Sequence, residues 1–158
     1  MKITISTIIL GLASTFAFAS GDHAHKHDDE GMFAVGEPAT GPIDRRISVS
    51  MLDTMRFVFS PALDTIKDGE SVEFSVRNDG KIKHEFSIGN AKEQMAHAEM
   101  MRKMPDMHHA DPNTVSLEPG ESATLAWKFK GKDTVVFACN IPGHFEAGMH
   151  HDVALSKQ

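Results

Sequence analysis

The sequence predicts an all-β sandwich interrupted by one short helical insertion around residues 91–104. Three observations carry that prediction. Short runs alternate apolar and polar side chains, clusters of turn-forming residues separate them at regular intervals, and one stretch replaces the alternation with helix formers behind a capping residue.

The chain opens on a segment of another kind. Lys2 supplies a positive start, Ile3 to Phe18 is largely apolar, and Ala17-Phe18-Ala19 fits the small-x-small cleavage rule. Residues 1–19 therefore read as a signal peptide cleaved near Ala19, which exports the mature chain to an oxidising compartment. A membrane anchor is the competing reading. The apolar run is short for a span and no basic stop-transfer residues follow it, so no membrane attachment is expected after cleavage. Residues 20–42 read as a His-rich flexible extension and linker: Gly21 to Glu30 is polar and lacks periodicity, and Gly31 to Pro42 is frequent in Gly and Pro. Residues 43–158 are expected to form one domain, large enough to bury a core without staples.

Within that domain Arg46 to Met51 alternates, Met55 to Phe59 follows closely, and Pro61 ends the run. The turn Lys67-Asp68-Gly69-Glu70 leads into Ser71 to Asn78. There Val72, Phe74 and Val76 share one face and Glu73, Ser75 and Arg77 the other, as in a half-buried strand. Asn78-Asp79-Gly80 turns the chain, and Ile82 to Ile88 makes the next strand, which carries His84. Asn90 caps a helix and Glu93 completes a capping box; Ala91 to Met104 is made of good helix formers, and Pro105 stops it. The β pattern returns after Asp111-Pro112-Asn113. Leu117 to Glu121 turns, and Leu125, Trp127 and Phe129 then alternate with Thr124, Lys128 and Lys130. Gly131-Lys132-Asp133 turns again, Thr134 to Ala138 runs up to Cys139, and Asp152 to Ser156 closes the sandwich.

Composition narrows the function. A net charge of -6 offers no basic face to displace phosphate counterions, which argues against a nucleic-acid partner. The chain holds one cysteine beside ten methionines and ten histidines, with no tyrosine, a balance that favours sulfur and imidazole donors although Met also fills cores. In an oxidising compartment the lone Cys139 has no internal disulfide partner, and ligation to a metal accounts for it.

His144 follows Cys139 by five positions and Met149 follows His144 by five. A thiolate, an imidazole and a thioether on one loop, joined by a second imidazole, are the donors of a type 1 copper site, which cycles between Cu(II) and Cu(I) with little rearrangement. His84, on a separate strand, is the candidate for the second imidazole. The alternatives are weaker. A cysteine serving only as a small buried hydrophobe leaves the spacing unexplained. Zinc would accept Cys139, His84 and His144 but has little use for a thioether. A core role for His84 removes the one upstream histidine that lies on a predicted strand, and a Cys-His nucleophile pair lacks a third orienting group.

The pattern Cys139, His144, Met149 with a distant upstream histidine resembles the ligand set of cupredoxins of the plastocyanin, azurin and rusticyanin kind, over roughly Ile43 to Leu155. Lys83-His84-Glu85-Phe86, the insertion Ala96-His97-Ala98-Glu99-Met100-Met101, Leu117-Glu118-Pro119-Gly120 and Pro142-Gly143-His144-Phe145-Glu146-Ala147-Gly148-Met149 are most similar to the periplasmic CopI-type cupredoxins linked to copper tolerance. The resemblance implies an eight-stranded Greek-key β-sandwich, one copper at its pole and a His- or Met-rich amino-terminal extension. Glu85 departs from the pattern, because several electron-transfer cupredoxins place there an Asn that pins the cysteine loop. Multicopper oxidases and copper nitrite reductases wire their type 1 copper to a second centre through histidine adjacent to the cysteine. Here the neighbours are Ala138 and Asn140, so catalysis by that route is not expected.

Two donor-rich stretches add a second theme. His97, Met101 and Met104 fall at i, i+4 and i+7, with Met100, Met107, His108 and His109 close by, and thioethers favour Cu(I). His23, His25 and His27 alternate beside acids and suit loose capture of divalent metal. These residues are candidate secondary sites for labile copper; the plainer role is a helix packed by its methionines and a solubilising tail. The expectation is a monomeric copper-tolerance protein with one-electron chemistry, docking a redox partner or a copper-handling protein near His144. A soluble electron carrier between periplasmic redox partners is the alternative.

Overall fold

Two five-stranded sheets face each other across an aromatic core. The computed structural model describes residues 33–104 and 111–157. The signal peptide, His23, His25, His27, Met107, His108 and His109 lie outside the described residues.

In chain order the elements are β1 (Gly36–Pro38), β2 (Arg45–Leu52), β3 (Arg56–Ser60), β4 (Ile66–Lys67), β5 (Ser71–Asn78), β6 (His84–Gly89), α1 (Ala91–Lys103), β7 (Thr114–Leu117), β8 (Ser122–Phe129), β9 (Thr134–Ala138) and β10 (His150–Ser156). One sheet runs β1-β8-β5-β2-β3 and the other β4-β10-β9-β6-β7. The strands predicted at 71–78 and 134–138 have those bounds. Strand β10 begins two residues before Asp152, because His150 pairs with Ala138 directly beyond the ligand loop.

Alternation builds the core. Val72, Phe74 and Val76 of β5 are fully buried, as are Trp127 and Phe129 of β8 and Phe137 of β9. Phe86 and Phe137 stack with centroids 5.4 Å apart, and Phe74 lies 5.4 Å from each of them. Offset and edge-on aromatic pairs of this kind add about 0.5–1.5 kcal/mol each beyond their burial.

Helix α1 has the capping box that the sequence indicates: Asn90 Oδ1 accepts from the Glu93 N–H, and Glu93 Oε2 accepts from the Asn90 N–H. Its buried residues are Gln94, Ala98 and Met101, spaced four and three apart on one face. That face covers the outside of β6 and β9, where Gln94 Nε2 donates to the carbonyls of Ser87 and Val136. Every residue of β6 is therefore buried.

Two strands exceed the expected eight, and one of them moves the start of the domain. Strand β1 pairs antiparallel with β8, so residues 33–39 belong to the packed unit and not to a linker ending at 42. Val35 is fully buried, its carbonyl accepts the Trp127 indole N–H at 3.3 Å, and the Phe33 ring meets Trp127 edge-on at 5.1 Å. A three-residue strand with one apolar plug is too short to show a period of two. Strand β4, two residues paired with the end of β10, escaped notice for the same reason.

Candidate copper centre

Three strand ends and one loop meet at a pole of the sandwich. His84 opens β6, on the inward side shared with Phe86 and Ile88, and is fully buried. Cys139 follows β9 on the inward side of Val135 and Phe137, and is also fully buried. The loop from Asn140 to Gly148 closes on itself: the Cys139 N–H donates to the Met149 carbonyl at 3.0 Å, and the Met149 N–H donates to the His144 carbonyl at 3.0 Å. Gly148, with φ of 97°, makes the left-handed step that brings Met149 back inside, where it is fully buried.

The donor atoms of His84, Cys139 and His144 all lie within 4.8 Å of one another. Cys139 Sγ is 3.3 Å from His144 Nδ1, and the two imidazole centroids are 5.1 Å apart. His84 Nδ1 is buried without a hydrogen-bond partner, whereas its Nε2 lies 3.1 Å from Asp53 Oδ1. A buried ring nitrogen with its lone pair unengaged, next to a buried thiol and a second imidazole, fits a soft or borderline metal ion. Met149, the fourth predicted donor, is buried at the end of the same loop.

The electrostatics suit a site completed by a cation. Burial pushes the Cys139 thiol up to about 12, against the opposing pull of the Glu85 and Ile141 main-chain N–H groups. The Glu85 N–H donates to Cys139 Sγ at 3.3 Å. A bound metal would reverse that preference and hold the thiolate. Burial and the neighbouring His84 lower the pKa of His144, keeping its imidazole a neutral donor at neutral pH. Two Lys81 N–H contacts, at 3.0 and 2.9 Å, hold the Asp53 carboxyl below the usual carboxylate range, with His84 assisting.

Glu85 has a definite place. It points out from β6 under α1 and is 1% exposed. Its Oε1 accepts from the Asn140 main-chain N–H at 3.4 Å and from Asn140 Nδ2 at 3.3 Å, and Ser116 Oγ donates to its Oε2 at 3.2 Å. The carboxylate thus fastens the residue next to Cys139, the task expected of an Asn at this position. His97 Nε2 stands 3.5 Å from the same Oε1.

The helix distributes the predicted secondary donors unevenly. His97 faces Glu85 and Met101 is buried, whereas Met104 is exposed and Met100 is half-buried. Sequence reasoning passed over Asp53, Gln94 and Asn140. Gln94 carried a signal, since it is the one polar residue on the buried Gln94-Ala98-Met101 face. Asp53 carried none, because nothing in a turn sequence says which histidine it meets.

A Greek-key sandwich with a cysteine loop and a strand histidine converging at one pole is the architecture of a cupredoxin. The chain belongs to the copper binding proteins of the plastocyanin/azurin family, whose pattern it matches over residues 46–156, and copper is its metal. Among curated relatives it is 41% identical to the copper-resistant cuproprotein CopI of Vibrio cholerae serotype O1, over 98% of this chain and 99% of that one. It is 42% identical to the protein of the same name from Rubrivivax gelatinosus, over 89% and 88%. Among solved structures, an auracyanin from Roseiflexus castenholzii superposes with a TM-score of 0.58 at 20% identity, covering 73% of this chain and 99% of the other. Auracyanin B gives 0.59 at 17% identity, covering 78% and 98%. At those identities the superpositions speak to the fold alone.

Proposed function

We propose that this chain is an exported periplasmic copper-tolerance protein. His84, Cys139, His144 and Met149 would hold a single type 1 centre. The observation that carries the reading is that a ring nitrogen of His84 lies within 4.8 Å of the Cys139 and His144 donor atoms, in a buried ring whose Nδ1 has no hydrogen-bond partner. Copper, when bound, supplies the one-electron couple. The protein holds the four donors in place through the closed 139–149 loop, the Glu85–Asn140 clamp and the Asp53–His84 bond.

The tolerance role draws support from the two relatives named as copper-resistant, together with donor-rich segments outside the centre. Met95 on α1 and Met104 just past its end are 68% and 41% exposed and offer thioethers to labile Cu(I). A redox or copper-handling protein would dock where His144, half-buried, reaches the surface between exposed Pro142 and Gly143 and partly buried Phe145. No helix among the described residues is long and apolar enough to cross a membrane.

The test is a copper titration of the mature protein followed by visible and spin-resonance spectroscopy, beside Cys139→Ala. An intense thiolate-to-copper band that vanishes in Cys139→Ala supports the centre, and its absence from the parent protein sinks the assignment. Uptake beyond one equivalent favours tolerance. Saturation at one equivalent, with rapid electron exchange, favours the soluble electron carrier.

A further inference from the structure

We propose that Asp53 is a positioning residue for the copper: its carboxylate fixes the His84 ring as the Nε2–H tautomer and so turns the Nδ1 lone pair towards the metal. The inference rests on the reading of His84 as a ligand and adds a group that no spacing rule would have located.

The argument begins with the imidazole. A neutral ring carries one N–H and one lone pair, and the partner of one nitrogen decides the role of the other. An ionised carboxylate only accepts hydrogen bonds. Asp53 Oδ1, 3.1 Å from His84 Nε2, therefore places the proton on Nε2. Nδ1 is left buried with no hydrogen-bond partner, in a ring whose donor atom lies within 4.8 Å of those of Cys139 and His144. Had the proton been on Nδ1, a buried donor would be unsatisfied and two acceptors would face each other at Nε2.

Asp53 is itself held. It sits in the turn between β2 and β3, where Met55 adopts φ of 58° and its N–H donates to the Leu52 carbonyl at 3.0 Å. Lys81 N–H binds both carboxylate oxygens from the opposite loop. That loop is shaped by Asn78, whose Nδ2 donates to the Ile82 and Leu117 carbonyls and whose Oδ1 accepts from Gly80. The fit leaves no room for a side chain at Gly80, where a Cβ would run into Asp53 Oδ1 and stand 3.1 Å from His84 Nε2. Two loops distant in sequence thus close on one carboxylate–imidazole contact. A carboxylate behind a ligating histidine orients the ring and raises its basicity.

The experiment reads the ring directly. Long-range proton–nitrogen correlation spectra of the metal-free protein should show His84 protonated at Nε2 in the parent and a mixture of tautomers in Asp53→Ala. Copper affinity of Asp53→Ala should fall by roughly 10–100-fold. Its reduction potential should rise, since an anion behind the ligand favours the more positive metal. Asp79→Ala removes a neighbouring carboxylate that pairs with Arg77, and should leave both readouts at the parent values. A proton on Nδ1 in the parent overturns the proposal, and so does parent-like affinity in Asp53→Ala. Should Asp53→Ala fail to fold, the parent's tautomer still decides. If the parent shows no thiolate-to-copper band, the ligand assignment fails, while the tautomer measurement separately reports on Asp53.

Discussion

Gln94 is the bolt between the helical insertion and the ligand loop, and replacing it with leucine measures how much that bolt carries. The side chain is 1% exposed, donates to Val136 O at 2.8 Å and Ser87 O at 3.2 Å, and accepts from Asn140 Nδ2 at 2.7 Å. Leucine fills nearly the same volume and makes none of these bonds. At about 1 kcal/mol net for each buried hydrogen bond, the loss is about 3 kcal/mol. Burying apolar atoms where an amide stood returns about 1 kcal/mol. Gln94→Leu should therefore destabilise the metal-free protein by about 2 kcal/mol and lower its melting temperature by roughly 8 °C. Urea unfolding followed by Trp127 fluorescence gives the free energy, and calorimetry gives the shift. Gln94→Glu should be worse, because a second carboxylate would be buried beside Asn140 and Glu85. A Gln94→Leu protein within about 0.5 kcal/mol of the parent would refute the idea that these bonds hold the helix to the sheet.

Other expectations follow from the same geometry. A chain beginning at residue 43 lacks β1 and the cover of Trp127, and should unfold at a lower midpoint, with tryptophan emission shifted to the red, than a chain beginning at residue 33. Cys139, fully buried with its thiol pushed up to about 12, should resist maleimide at mildly alkaline pH until the protein unfolds. Copper loading at neutral pH should release about one proton, seen with an indicator dye in weak buffer. Burial by itself would lower the His97 pKa, but the hydrogen bond and negative charge of Glu85 outweigh it and the net shift is upward from 6.5. The His97–Glu85 attraction is therefore complete below about 6.5 and is lost as pH rises through the folded value. As pH rises above about 6.5 the parent should lose more stability than His97→Gln, and parallel pH profiles would count against the pairing.

The strands were legible wherever one face met the core and the other met water, as Ser71 to Asn78 illustrates. Cys139, His144 and Met149 were legible because three donors on one loop keep fixed intervals. The burial of Glu85 was not, since alternation alone sends it to solvent and only the helix laid across β6 encloses it. Asp53 was hidden for a different reason: its contact with His84 depends on how two loops meet. Residues 33–39 read as linker because one buried valine and three paired residues leave no period to detect, although they close the edge of a sheet.

That edge strand bears on the order of assembly. Val35 meets Trp127 across a sequence separation of 92, and Ala34 meets Glu93 across 59. Contacts that close such long loops form late, after local hairpins and neighbouring strands have reduced the entropy cost. The first described residues to emerge during synthesis should therefore be the last to dock. A refolding experiment would record their arrival as a slow final change in Trp127 emission, after the sandwich around the copper pole has already closed.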